Sequence, residues 1–192
     1  LADEIAEREM IDTSLEVRNA IVARLKTSRR LKKKTKDSTG ADVESMLVVR
    51  PRPQKVDVKT FALLAQSGAV LVQNSGSRYE TKSLALGAVV QEREMLFDVV
   101  VLYRNVSEQM SENKSADDEI YEYVFEIIRL LQGWRPPECY EPMRVVSEEF
   151  IDEQDGIWQY GIRFAVKTLA VETLTEPELP TLSEVNFNEN GI

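Results

Sequence analysis

Histidine is missing from all 192 residues, and cysteine occurs once, at Cys139. Without histidine the chain lacks the commonest general base near neutral pH and the commonest metal ligand. Many hydrolase readings fail on that alone. A lone cysteine excludes an internal disulfide and fits a reducing compartment, or an assembly that needs no covalent staple. Long apolar runs are missing too. The longest, Val99 to Tyr103, is far shorter than the roughly 20 residues a membrane helix requires. No charged-then-apolar leader opens the chain, so the expectation is a soluble, unexported protein without membrane contact, and the opening Leu1 reads as trimming or processing.

What is present is ordinary for a folded domain. An apolar share of 43% and a charged share of 30% exclude wholesale disorder, and the length suits one domain with an arm. The net charge of −9 repels nucleic acid at long range, whereas a general DNA binder is usually basic.

Periodicity divides the chain into alternating helices and strands. After a cap cluster at Asp12-Thr13-Ser14, the apolar residues Ile11, Leu15, Val22 and Leu25 recur at helical spacing and predict a helix over 15–25. A basic run from Arg29 to Lys36 and the turn-prone Asp37-Ser38-Thr39-Gly40 predict a loop over 26–44. Met46 to Val49 reads as a short strand stopped by Pro51 and Pro53, 57–66 as a helix with Gly68 as its stop, and Ala69 to Val72 as a buried strand. Asn74-Ser75-Gly76-Ser77 has no Gly-Lys-Ser/Thr and reads as a turn, not a phosphate cradle. Met95 to Tyr103 has the near-continuous apolar character of a central strand. A cap at Ser115 opens a helix whose stripe is Ile120, Val124, Ile127, Ile128 and Leu131, closed by Gly133 and Pro136-Pro137. The last two strands are 143–150 and 157–171, the second with Trp158, Tyr160, Ile162, Phe164 and Val166 alternating against Gln159, Gly161, Arg163, Ala165 and Lys167. The expected fold is α/β in the α+β sense: one domain over 1–172 with a mixed, mainly antiparallel sheet flanked by helices. Residues 173–192 form an acidic C-terminal extension that orders against a partner.

Several segments, in this order, resemble the tail terminator family of Mu-like contractile-tailed phages. They are Asn19 to Leu25, Ser67 to Val72, Gln91-Glu92-Arg93 ahead of Phe97 to Asn105, Leu131-Gln132-Gly133-Trp134-Arg135-Pro136-Pro137, and Asp155-Gly156-Ile157-Trp158 through Val171. Together they cover most of 15–171. The resemblance implies a non-enzymatic virion protein at the neck-proximal end of the tail, assembled in the host cytoplasm. It would close into a hexameric ring on the tail tube, end tube growth and join the tail to the neck. It implies tail tube protein as partner, with sheath and neck proteins adjoining, and genomic DNA passing through the lumen without specific binding. It carries over no catalytic residue, metal or cofactor, and it does not reach the basic run or the acidic extension. A neck or head-completion connector would share such a fold and charge. A metal-dependent nuclease or nucleic-acid adaptor is the reading from another class.

The candidate docking residues follow from chemistry. Arg29, Arg30, Lys32, Lys33, Lys34 and Lys36 could form a solvated loop, a dock for acidic tube or sheath subunits, or a DNA contact, and the negative total favours docking over DNA. Trp134 and Arg135 are the residue types enriched at interface anchors, although a tryptophan there more often folds over its own helix end. Gln159, Arg163 and Lys167 line the semi-polar face of the last strand and are expected at an interface. Asp98 with Glu112-Asn113-Lys114 faintly resembles a nuclease's carboxylates and lysine. An aspartate in an apolar strand more often meets a polar partner such as arginine. Cys139, without an activating partner, is expected to pack.

Overall fold

A computed structural model of the chain describes residues 13–36, 42–52, 68–80, 83–85, 88–104, 116–154 and 157–171. In chain order the elements are α1 (Thr13–Lys26), β1 (Lys32–Lys36), β2 (Asp42–Met46), β3 (Val48–Pro51), β4 (Ala69–Tyr79), β5 (Ser83–Ala85), β6 (Ala88–Arg104), α2 (Ala116–Leu131), β7 (Arg144–Gln154) and β8 (Ile157–Val171). The main sheet has the order β3-β4-β6-β8-β7, with β5 pairing beside β4 on β6, and β1 and β2 make a separate two-stranded sheet. Only β3 with β4 is parallel; β4, β5 and β8 on β6 and β7 on β8 are all antiparallel. The fold is therefore the expected α+β arrangement with a mixed, mainly antiparallel sheet. A parallel neighbour needs a crossover of a dozen or more residues, and residues 52–68 have that length. The helix expected at 57–66 lies outside the described residues, as do the Ser115 cap, Asp12, the loop at 107–113 and the extension at 173–192.

Strand alternation decides what lies on each face. Met95, Phe97, Val99, Val101 and Tyr103 of β6 join Tyr160, Ile162, Phe164 and Val166 of β8 in one cluster with α1 and α2. Both described helices thus pack on the same face. On the opposite face Ala69, Leu71, Val100 and Leu102 make a smaller buried cluster. Glycine lets β8 pass close to its neighbour: a Cβ on Gly161 would stand 3.0 Å from the Ile151 side chain.

Four expectations change. The residues expected as a loop over 26–44 hold the β1–β2 hairpin, because the basic and acidic strands complement each other. Lys34 is the register partner of Glu44 and Lys36 of Asp42, and the Lys32 amine lies 3.1 Å from the Glu44 carboxylate on the facing strand, an opposite-charge pair of the kind that stabilises an antiparallel ladder. The turn residues Asp37 to Gly40 lie outside the described residues. Asn74-Ser75-Gly76-Ser77 is not a turn but a bulge within β4, where Gly76 takes φ 122° and its N–H donates to Asn74 Oδ1 at 2.7 Å. On α1 the buried stripe is Ser14, Val17, Ile21, Val22 and Leu25, and Leu15 points to solvent. The strand expected to end at Phe150 runs on to Gln154, which pairs with Ile157.

The two helix ends are tied together. The Arg24 Nε–H donates to the Leu130 carbonyl at 2.6 Å, and the Ser28 hydroxyl donates to Glu126 Oε1 at 2.6 Å. Gly133, at φ 78°, closes α2 in the left-handed conformation that glycine adopts without strain. Its N–H donates to the Met143 carbonyl, and the Met143 N–H returns to that of Trp134.

Phe97 and Phe164 are direct register partners and both fully buried. Replacing Phe164 by alanine should cost about 3–5 kcal/mol, read from the midpoint of urea unfolding at unchanged slope. A loss below about 1 kcal/mol would mean that the cavity collapses and the pair is not central.

Candidate docking surfaces

The sheet face opposite the helices carries a ladder of charges from β6 and β8. At one end Arg163 grips Asp98 with two hydrogen bonds, Nε to Oδ1 at 2.7 Å and a terminal nitrogen to Oδ2 at 3.1 Å, and the Gln73 amide adds a third at 3.3 Å. Burial pushes the Asp98 carboxyl up, but hydrogen bonds from Arg163, Ser75 and Gln73 outweigh it and hold the group below its ordinary 3.8. In the middle, Glu94 binds Arg144 and lies 4.0 Å from Arg78. At the other end the Lys167 amine lies 3.1 Å from Glu92, 3.6 Å from Glu80 and 3.8 Å from Glu141. The Glu92 hydrogen bond is the main reason its pKa rises. The Tyr140 hydroxyl donates to the same Glu92, and burial followed by that carboxylate pushes the phenol up to about 12.

Of the residues expected at an interface, Gln159, Arg163 and Lys167 share this face, and both cations are engaged by carboxylates of their own chain. Trp134 and Arg135 lie elsewhere, at the end of α2 on the helix side. Trp134 is half-buried against the core, with the Arg24 guanidinium 4.9 Å from its ring centroid. Arg135 is exposed. The five residues do not form one patch. The loop after Trp134 is pinned along β8 by Tyr140 N–H to the Lys167 carbonyl at 3.2 Å and by the Thr168 hydroxyl to the Glu138 carbonyl at 2.6 Å. Glu138 there has a positive φ of 61°, costly outside glycine.

The basic run falls on the first strand of a two-stranded hairpin. Arg29 and Arg30 are exposed between α1 and β1, and Lys32 pairs with Glu44 at 3.1 Å. Lys33, Lys34 and Lys36 lie on β1, and their side chains are outside the described residues. The hairpin base is fastened to the body by buried Leu31 and Leu47, whose backbones bond at 2.9 Å, and by the Tyr123 hydroxyl donating to the Lys32 carbonyl at 2.8 Å.

Two features escaped the sequence reading. The outer side of α2 and the edge strand β7 carry exposed aromatic rings: Phe125 at 66%, Tyr121 at 55% and Phe150 at 50% relative exposure. Tyr121 meets Tyr160 edge-on at 5.8 Å, and Phe150 meets Trp158 likewise at 5.5 Å. Tyr121 and Phe125 are four residues apart, each one residue past the buried Ile120 and Val124 and so turned off the buried stripe, which was the available signal. The second feature is Glu126, 2% exposed in the middle of α2. It accepts from Ser28 and from both Arg129 donors at 2.8 and 2.9 Å.

Asp98, weighed as a nuclease carboxylate, is engaged by arginine, and Glu112-Asn113-Lys114 lie outside the described residues. Cys139 is buried, and burial with the nearby Glu138 pushes its thiol up to about 11, which leaves little thiolate at neutral pH. Among the described residues no group of three or more His, Cys, Asp or Glu stands ready to hold a metal ion, and no helix is long and apolar enough to cross a membrane.

Residues 46–189 match the family described as Gp37 protein, well over half of the chain. The chain belongs to the Gp37 protein family. This is a phage-protein family, and the match runs from the last residue of β2 through the whole main sheet and α2. Helix α1 and nearly all of the basic hairpin precede the part that defines Gp37 membership. No curated protein matches the chain.

Glu126 makes acid stability testable. Hydrogen bonds from Arg129, then burial acting the other way, then Ser28, leave its carboxyl below the ordinary 4.5. A depressed carboxyl stabilises the fold above its unfolded pKa and loses that contribution as pH falls through the folded value. Glu126→Gln should therefore cost roughly 1–3 kcal/mol at neutral pH, with the gap to wild type closing as pH drops below 4.5. Parallel stability curves for the two proteins across that range would refute the assignment.

Proposed function

We propose that this chain is a non-enzymatic structural protein that caps the end of a phage tail tube as a cyclic oligomer, ending tube growth and offering a platform to the neck. Membership in the Gp37 family supports a phage assembly role. The observation that carries the ring is the unlike chemistry of the two edges of the main sheet. At the β3 edge the hairpin leads in, with Arg29, Arg30, Lys32, Lys33, Lys34 and Lys36 outnumbering Asp42 and Glu44. At the β7 edge Glu148, Glu149, Asp152 and Glu153 outnumber Arg144.

A head-to-tail contact uses two different surfaces of the same chain, and it makes a ring when its rotation closes. Oppositely charged edges favour such a contact over the self-matching contact of a two-fold dimer, which would bring like charges together. Growth stops when one axial face binds the tube and the other refuses a further tube ring. The paired charge ladder suits the refusing role, since its cations and carboxylates already satisfy one another and displacing them leaves charge uncompensated.

Native mass spectrometry of the purified chain, alone and with tube protein, should give a closed oligomer, hexameric by the family resemblance. Electron microscopy should find it at the neck-proximal rim of the tail. Single copies scattered away from any tube end would refute the proposal, and so would metal-dependent DNA cleavage by the chain. A seat on the head-side connector would replace it with a head-completion role.

A further inference from the structure

We infer that the exposed aromatic rings of α2 and β7, with the Glu148 carboxylate on the same face, seat an arginine side chain from a basic segment of a partner protein; the tail-capping reading is not needed for this. Strand register brings the parts together. Phe150 is the register partner of Tyr160 and meets Trp158 edge-on at 5.5 Å, and Tyr121 of α2 meets the same Tyr160 edge-on at 5.8 Å. Buried Tyr160 thus joins the exposed rings of Tyr121 and Phe150, and Phe125, one helical turn along from Tyr121, adds a third.

Glu148 belongs to this face. It is the register partner of Ile162, which lies in the core cluster under the helices, whereas Glu149 stands opposite Gly161 and lines a hollow with Arg163 on the other face. Burial first, and then the charge of Glu148, raise the Tyr160 pKa, so the carboxylate acts on the central ring. Glu92, Glu94, Asp98 and Glu126 each hold a cation of their own chain. Glu148 is exposed, and among the described residues no cation pairs with it.

The chemistry of the occupant follows. An aromatic face draws a cation held within about 6 Å of its centroid, and arginine suits this seat best because its flat guanidinium stacks on a ring while its N–H groups bond a carboxylate. The molecule already makes two such ring contacts within itself, Arg24 over Trp134 at 4.9 Å and Arg93 over Tyr79 at 5.7 Å. An acidic side chain would be repelled by Glu148, and an apolar one would strip water from the carboxylate without compensating it. The net charge of −9 favours a basic partner over a second copy of this chain. Bulges at 145–147 and 150–152 hinder an added strand on β7, so the contact is made by side chains.

The probe is an acetylated Gly-Arg-Gly-Arg-Gly peptide, titrated into the full chain at low salt and followed by the NMR signals of the aromatic side chains. Its counterpart carries citrulline in place of arginine, which keeps the shape and loses the charge. The arginine peptide should shift the Tyr121, Phe125 and Phe150 signals saturably, and the citrulline peptide should bind at least about fivefold more weakly. Glu148→Gln should weaken binding about threefold, and Tyr121→Ala with Phe125→Ala at least about threefold. Glu149→Gln, the same change of charge on the opposite face, should leave it unaltered. All four side chains are exposed, and circular dichroism with the thermal midpoint verifies that each variant is folded. Equal losses with Glu148→Gln and Glu149→Gln would mean that net charge alone draws the peptide and would overturn the site, as would citrulline binding equal to arginine. Self-association of the wild-type chain that Glu148→Gln abolishes would put a second copy in the seat and overturn the proposal too.

Discussion

The unbroken pairing of β6 with β8, from Val90 opposite Val171 to Arg104 opposite Ile157, is the constraint on which the rest of the molecule depends. Because side chains alternate along a strand, this register assigns every residue of both strands to one of two faces. The odd-numbered residues from Met95 to Tyr103 lie under α1 and α2, and Glu92, Glu94 and Asp98 lie on the opposite face. A slip by one residue would bury Glu92, Glu94 and Asp98 beneath the helices and expose Phe97 and Met95. The cost of burying three carboxylates away from their cations makes the register unambiguous.

The same register explains why the charged face is internally settled. Asp98 sits directly across from Arg163, and Glu92 and Lys167 are diagonal neighbours, so each cation finds its carboxylate without a partner molecule. Binding through these residues would mean breaking pairs already made. The surfaces left unsatisfied lie at the edges. They are the exposed Arg29 and Arg30 that lead into the hairpin and the exposed rings of Tyr121, Phe125 and Phe150. Edges are where a sheet ordinarily adds neighbours, and the bulges of β7 steer that tendency from strand addition towards side-chain contact.

Buried Ser28 and Glu126, with the exposed Arg129 closing over the carboxylate, link these surfaces to the core. They hold the chain at the exit of α1, where it turns towards the hairpin, and fix α2, which bears Tyr121 and Phe125 on its outer side. A carboxylate so enclosed is costly unless all its partners are in place, so the cluster favours one arrangement of α1 against α2.

By itself the sequence determined β6, β8 and α2, because periodicity is local and their apolar spacing is legible, and it marked the Gly133 stop in turn chemistry. The arginine partner of Asp98 could be anticipated, since a carboxylate in an apolar strand demands compensation. Only the tertiary structure decided that Lys32 to Lys36 form a strand, because its pairing partner, Asp42 to Met46, lies further along the chain and the basic run has no apolar alternation to read. It also decided that Asn74 to Ser77 bulge within a strand, since a bulge is defined by the neighbour it pairs with. Finally, it put Trp134 under Arg24 and left Phe125 bare. Aromatic side chains are buried or exposed according to what the fold brings over them, and that depends on contacts between segments more than a hundred residues apart.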